Sequence, residues 1–153
     1  MLSMKKLLVA AMLMAFVGAA VAQVSVTAPW VRATVPAQKS TGAFMHLQSD
    51  TPARLVGVSS PAATTVELHK MEMSGSMMKM GPVASIDLPA GKAVNLASGG
   101  YHIMLTGLMQ QLKEGETVTL TLLVEGKGKR RESVTVTVPV KPMTFVSPAA
   151  PAH

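Results

Sequence analysis

The chain of 153 residues contains no cysteine. This absence excludes disulfide scaffolds, zinc fingers, iron–sulfur proteins, thiol enzymes and blue copper sites with a thiolate ligand. Aromatic residues make up only 3% of the chain and charged residues 14%. The formal net charge is +6, but no segment combines dense Lys and Arg with aromatic side chains. The sequence therefore predicts no nucleic-acid binding, and its length predicts one domain.

Residues 1–22 have the organisation of an export signal. A short lysine-containing segment is followed by the apolar run 7–17 and by an A-x-A motif at 20–22. This pattern is typical of a cleaved Sec-type signal peptide, and it is too short for a lasting membrane span. No cysteine at the cleavage site could carry a lipid. We therefore expect a mature chain from Gln23, in the periplasm and without stable membrane insertion.

The mature chain consists of short runs rich in Val, Thr and Leu, separated by Gly, Pro, Ser and Asp. Such runs predict strands near 24–32, 41–48, 53–59, 64–71, 83–88, 93–96, 101–106, 117–124 and 132–138. No segment predicts a convincing amphipathic helix. Many short strands without helices between them favour an antiparallel β-sandwich or barrel over residues 23–140. The Pro/Ala-rich tail 141–153 is expected to be flexible.

A basic cluster lies between the last two predicted strands, at Lys127, Lys129, Arg130 and Arg131. Because glycines flank these residues, the segment is interpreted as a solvated hairpin tip. A docking patch for an acidic partner is the alternative.

Methionine is the residue in excess, with 13 in the chain. Five of them fall within ten residues, at Met71, Met73, Met77, Met78 and Met80. The segment 72–79 is too polar and too interrupted by Gly and Ser to form core, so it is expected to be a loop. The methionines at 71, 73, 77 and 78 are therefore either reserve metal ligands or ordinary loop residues.

Two predicted strands each carry a histidine followed two residues later by a methionine. His69 and Met71 share one strand face, as do His102 and Met104, because side chains alternate along a strand. In both strands the aliphatic residues lie on the other face. Imidazole and the soft, uncharged thioether together favour Cu(I) over Zn²⁺, Ca²⁺ or Mg²⁺.

The spacing of four residues resembles a known family, the PCuAC periplasmic copper chaperones. Their signature H-x10-M-x21-H-x-M is met by His69, Met80, His102 and Met104. The segments 28–32, 41–44, 88–91 and 99–105 also resemble parts of this family. One departure is Ser98, where the family commonly has proline.

The resemblance implies a cupredoxin-like antiparallel β-sandwich of Greek-key type that binds Cu(I) at a partly exposed site. Its ligands would be His69, Met80, His102 and Met104, with Met71, Met73, Met77 and Met78 as possible auxiliaries. The copper would pass to an acceptor protein, such as the binuclear copper centre of a cytochrome oxidase subunit. We expect a monomeric metal-transfer protein and not an enzyme.

Other functions fit the sequence less well. A blue-copper electron carrier requires a cysteine, and an oxygenase that chelates copper by an N-terminal His does not fit a mature chain beginning at Gln23. No cluster of Ser, His and Asp or paired carboxylates predicts hydrolysis. A non-metal β-sandwich binding module with an adaptable Met surface stays open, although it does not explain the two His-x-Met pairs. Copper storage or resistance also stays open.

Overall fold

The computed structural model describes residues 23–97 and 100–147. These residues form ten strands and a single 3₁₀ turn at Lys127–Lys129. In chain order the strands are β1 (Val24–Arg32), β2 (Ser40–Ser49), β3 (Ala53–Ser59), β4 (Ala63–Ser74), β5 (Met77–Pro82), β6 (Ile86–Leu88), β7 (Ala93–Leu96), β8 (Tyr101–Leu108), β9 (Thr117–Glu125) and β10 (Arg131–Lys141). Within the described ranges no helix is long and apolar enough to cross a membrane.

The strands pair in two groups. The first has the order β5-β4-β8-β2-β1, and β7 pairs with the second half of β2. The second has the order β10-β9-β3-β6. Within each group every pair of neighbouring strands is antiparallel, whereas β1 and β10 join the two groups through a short parallel pairing at Val31↔Val140. The all-β prediction is confirmed, and this parallel junction departs from a purely antiparallel arrangement.

Alternating side chains from both groups build one apolar core. On β9 the residues Val118, Leu120 and Leu122 are all buried, as their alternation with threonine predicted. From the first group, Leu68 of β4 and Ile103 of β8 belong to the same cluster. Strands such as β4, β8 and β9 therefore have one face in the core, which leaves the other face available for a site.

The segment 72–79 differs from its prediction as a loop. It completes β4 and forms the first half of β5, and the two strands pair around a two-residue turn at Gly75 and Ser76. Gly75 has a φ of +65°, a left-handed conformation that a tight hairpin turn requires and that glycine adopts without a Cβ clash. The strand predicted at 83–88 is correspondingly shorter, at Ile86–Leu88.

The C-terminal segment also differs over its first residues from the expected flexible tail. β10 continues through Lys141, and Phe145 then packs edge-to-face on Trp30 with ring centroids 4.9 Å apart. The indole Nε1 of Trp30 donates a hydrogen bond of 2.8 Å to the Ser147 hydroxyl. An aromatic partner on β1 thus fixes residues 142–147. The signal peptide predicted at 1–22 and the tail residues 148–153 lie outside the described residues.

The basic cluster lies at the β9–β10 hairpin tip, as predicted, and is linked to a buried carboxylate. Glu125 accepts a hydrogen bond of 2.7 Å from Nη2 of Arg54 and another of 3.3 Å from Nε of Arg131. These two guanidinium groups, Arg54 above all, hold the pKa of Glu125 below its usual range although burial opposes them. The ionised carboxylate is therefore the form that stabilises the fold.

We predict that Glu125→Gln removes part of the acid sensitivity of folding. A lowered folded-state pKa gives stability that is present above the unfolded pKa of about 4.3 and is lost as the pH falls towards the folded value. Urea unfolding at a series of pH values should show wild type losing more stability than the variant on acidification. Glu114→Gln, at an exposed position, is the control and should follow wild type. Equal pH profiles for wild type and Glu125→Gln would contradict the prediction.

Candidate metal centre

The predicted ligands lie on the outer face of the first group of strands. On β8 the side chains of His102 and Met104 alternate with the core residue Ile103. On β4, His69 follows the core residue Leu68. Because successive side chains point to opposite faces, burial of the aliphatic residues directs the histidines and methionine away from the core.

Strand register brings side chains from separate parts of the chain together. His69 of β4 lies directly opposite His102 of β8, with ring centroids 5.8 Å apart. Met71 lies opposite Met80 across the β4–β5 hairpin. Cross-strand pairs of this kind have Cβ atoms about 4.5–5.5 Å apart, so their side chains are in mutual reach.

A surface cavity of about 300 Å³ lies at this position. Its lining includes Met80, His102 and Met104, which are three of the four predicted ligands, together with Met71. His69 is not part of the lining but stands beside it through its pairing with His102. The structure thus gathers three of the predicted residues around one cavity and places the fourth next to them.

Each imidazole has one nitrogen engaged by a neighbouring oxygen. Nδ1 of His102 donates to the Gly100 carbonyl at 3.4 Å, and Nε2 of His69 donates to the Glu67 carboxylate at 3.1 Å. These bonds assign the tautomers and leave Nε2 of His102 and Nδ1 of His69 as lone-pair donors. Nδ1 of His69 is buried and has no hydrogen-bond partner within the described residues. A bound cation would satisfy this atom.

The surroundings of His102 favour the uncharged imidazole. Burial lowers the pKa of His102 below 6.5, and the nearby His69 and Arg32 lower it further, against the opposing effect of the Gly100 hydrogen bond. Neutral imidazole is the form that binds metal ions. His102 is therefore ready to act as a ligand at neutral pH.

Arg32, Gly42 and Phe44 complete the cavity wall. The Arg32 guanidinium stacks 5.2 Å from the centroid of Phe44 and 5.6 Å from that of Trp30. The Phe44 ring lies over Gly42, where an added Cβ would be only 2.9 Å from its Cζ. Reasoning from single strands missed these wall residues as part of the site, although two segments of the family resemblance, 28–32 and 41–44, contain them.

The other methionines of the β4–β5 hairpin lie on different faces of it. Met73 lies opposite Met78, on the same face as Met71 and Met80, whereas Met77 lies opposite Ser74 on the other face. Met73, Met77 and Met78 are each more than half exposed. The residues predicted as possible auxiliaries are therefore not equivalent.

The donors at the cavity are uncharged nitrogen and sulfur. Over residues 23–97 and 100–147 there is no group of three or more His, Asp or Glu side chains placed to hold a metal ion. Thioethers bind soft cations such as Cu(I) and have little affinity for hard divalent ions, which prefer oxygen. The residues present therefore fit a soft monovalent ion.

Comparison with known proteins gives one family. The model of the LpqE-like family of putative lipoproteins matches residues 24–140. A putative lipoprotein of Leifsonia xyli subsp. xyli is 31% identical over 100 residues, which are 65% of this chain and 60% of that protein. The chain thus spans less than two thirds of the length of this curated relative.

Solved structures of PCuAC domains share the fold. The apo PCuAC domain of PmoF1 superposes with a TM-score of 0.65 at 21% identity, over 81% of this chain and 98% of that domain. The copper-bound PCuAC domain of PmoF2 gives 0.62 at 25% identity, over 81% and 97%. Apo-DR1885 of Deinococcus radiodurans gives 0.55 at 35% identity, over 81% and 86%.

These matches confirm the predicted cupredoxin-like β-sandwich and the family resemblance that rested on the histidine and methionine spacing. The chain belongs to the LpqE-like family, and its fold is that of the PCuAC domains.

Proposed function

We propose that this chain is a periplasmic copper chaperone that binds Cu(I) through His69, Met80, His102 and Met104 and transfers it to an acceptor protein. The observation that carries the proposal is the cavity at which Met80, Met104 and His102 meet, with His69 opposite His102. The match to the copper-bound PCuAC domain of PmoF2 supports copper as the cargo.

The hydrogen bonds of the two imidazoles support one choice of metal-binding nitrogen in each ring. Glu67 engages Nε2 of His69 and the Gly100 carbonyl engages Nδ1 of His102, so the ion would be bound by the remaining nitrogen of each ring. A carboxylate or carbonyl that fixes the non-ligating nitrogen also orients the ring and raises its basicity. Glu67 and Gly100 would therefore hold both imidazoles in the orientation that binding requires.

The two proposed methionine ligands differ in exposure and in the pairing of their strands. Met104 is on β8, which is paired on both sides, whereas Met80 is on β5 at the edge of the sheet and is 49% exposed. Met71 lines the same cavity directly opposite Met80. Met80 is thus the ligand that can leave first, and Met71 can take its place during exchange.

Transfer requires only the exchange of ligands. Cu(I) has a filled d shell without a strong geometric demand, so an acceptor's donors can replace those of the chaperone one at a time. The ion keeps its charge throughout, and neither thioether carries a proton that must be removed or replaced. A site that opens at the surface suits this exchange, and the proposed activity is binding and transfer without catalysis.

The acceptor that the motif implies is the binuclear copper centre of a cytochrome oxidase subunit, and the chain would act as a monomer. The direct test is to mix the copper-loaded chain with the purified apo copper domain of such a subunit. Two delivered Cu(I) ions give the absorption of the mixed-valence binuclear centre after an added mild oxidant removes one electron, and appearance of this absorption supports this acceptor. Retention of copper by the chaperone would instead favour storage or resistance.

We predict that removing a thioether at the cavity weakens Cu(I) binding while removing one elsewhere does not. Met104→Leu should raise the dissociation constant by about 10- to 100-fold, because leucine keeps the size of the side chain and removes a donor. Met109→Leu is the matched control, since Met109 is 67% exposed and outside the cavity lining. Competition titration with a Cu(I) chelator measures both.

The histidines provide the decisive variant. His102→Ala should weaken binding at least as much as Met104→Leu, and His69→Ala combined with His102→Ala should abolish tight binding. Trp30 fluorescence verifies that each variant is folded. Tight Cu(I) binding by the double variant would contradict the metal site and favour the non-metal binding module.

The affinity for Cu(I) should depend on pH through the imidazole of His102. Since burial keeps the pKa of His102 below 6.5, affinity should change little at neutral pH and fall as the solution is acidified through that lowered value. Because His102 must lose its proton before it binds, the logarithm of the affinity should fall by up to about one per pH unit through this residue. The same titration in buffers of decreasing pH measures this slope, and a pH-independent affinity would indicate that His102 is not a ligand.

A further inference from the structure

The β4–β5 hairpin extends beyond the rest of its sheet. Pairing of β4 with β8 ends at Lys70↔Tyr101, whereas pairing of β4 with β5 continues to Ser74↔Met77. Residues 72–79 therefore form a two-stranded ribbon. This ribbon begins at the cavity, where Met71 and Met80 contribute to the lining.

Two methionine pairs follow one another on one face of the ribbon. Met71 lies opposite Met80, and Met73 lies opposite Met78. Because Ser74 and Met77 close a two-residue turn as a hydrogen-bonded pair, both methionine pairs occupy non-hydrogen-bonded positions, where side chains are closer. Directly opposite Cβ atoms are about 4.5–5.5 Å apart, and diagonal neighbours are about 7–8 Å apart. Flexible thioether side chains can span these distances.

Packing does not account for the outer methionine pair, Met73 and Met78. Met73 is 65% exposed and Met78 is 54% exposed, and neither belongs to the apolar core. The opposite face of the ribbon is charged, with an ion pair of 3.4 Å between Lys70 and Glu72. Lys79 lies opposite Glu72 on that face. The ribbon thus has a thioether face that continues the cavity and a charged face that does not.

We propose that Met73 and Met78 form a second, weaker Cu(I) site and that the ion passes between this site and the cavity through Met71 and Met80. This inference rests on the proposed function of the cavity. Two thioethers without an imidazole make a weak, uncharged site for Cu(I), and its exposure makes it accessible to the donors of another protein.

Each step along the methionine pairs is an exchange of ligands. The ion binds a sulfur of the next methionine pair before it releases a sulfur of the pair that it is leaving. It is therefore never without donors. No electron or proton moves, and the copper stays Cu(I). The outer pair would shorten the path by which an acceptor reaches the ion, because the hairpin tip projects further than the cavity.

The test compares Met73→Leu/Met78→Leu with Met77→Leu. Met77 is the matched control because it is on the same hairpin, is 64% exposed and lies on the other face. Cu(I) titrations of the full chain, with ¹³C-methyl methionine spectra, should show a second binding step in wild type and in Met77→Leu. That step should shift the Met73 and Met78 methyl signals and disappear in the double variant.

Transfer kinetics give the second readout. The rate at which a bidentate Cu(I) chelator removes the cavity ion should fall by about tenfold in Met73→Leu/Met78→Leu and stay unchanged in Met77→Leu. The affinity of the cavity itself should stay within about twofold of wild type in both, because its ligands are intact.

The outcomes separate this inference from the function of the cavity. Tight binding in the cavity together with identical second steps and transfer rates for the double variant and Met77→Leu would overturn the outer site alone. Absence of tight Cu(I) binding in wild type, with no effect of Met104→Leu, would overturn both.

Discussion

The pairing of β4 with β8 is the constraint on which the candidate site depends. A slip of one residue would turn His102 and Met104 towards the core and expose the fully buried Ile103 and Leu105. Burying each such side chain contributes about 1.5–3 kcal/mol, so the apolar face strongly disfavours this slip. The core therefore fixes the register that brings His69 opposite His102.

Sequence alone could predict the strands in which apolar and polar residues alternate. The period of two in β9 indicates which side chains are buried, and the same period in β8 places His102 and Met104 together on the face opposite Ile103 and Leu105. The methionine at 80 was different, because its place in the site followed only from the family spacing. Its position opposite Met71 required the hairpin, which no hydrophobic pattern indicated.

The hairpin ribbon, the cavity wall and the packing of the C-terminal segment depend on backbone hydrogen bonds or on contacts between distant segments. The ribbon at 72–79 is held by ladder hydrogen bonds and a glycine turn, so its residues carry no apolar alternation. Arg32 and Phe44 reach the cavity because β1 and β2 pair with each other and β2 with β8. Phe145 packs on Trp30, 115 positions away, which composition of the tail could not reveal.

The charges around the cavity favour a monovalent ion. Arg32 lines the cavity, and its repulsion of a bound cation grows in proportion to the cation's charge. Glu67 accepts a hydrogen bond from the His69 ring. This bond directs the Glu67 carboxylate towards the imidazole. Among the described residues that line the cavity, the side chains able to bind a metal are thioethers and one imidazole. A divalent ion would therefore meet about twice the repulsion without a side-chain oxygen donor from these residues in compensation. Soft, uncharged donors beside the Arg32 guanidinium thus fit a monovalent ion better than a divalent one.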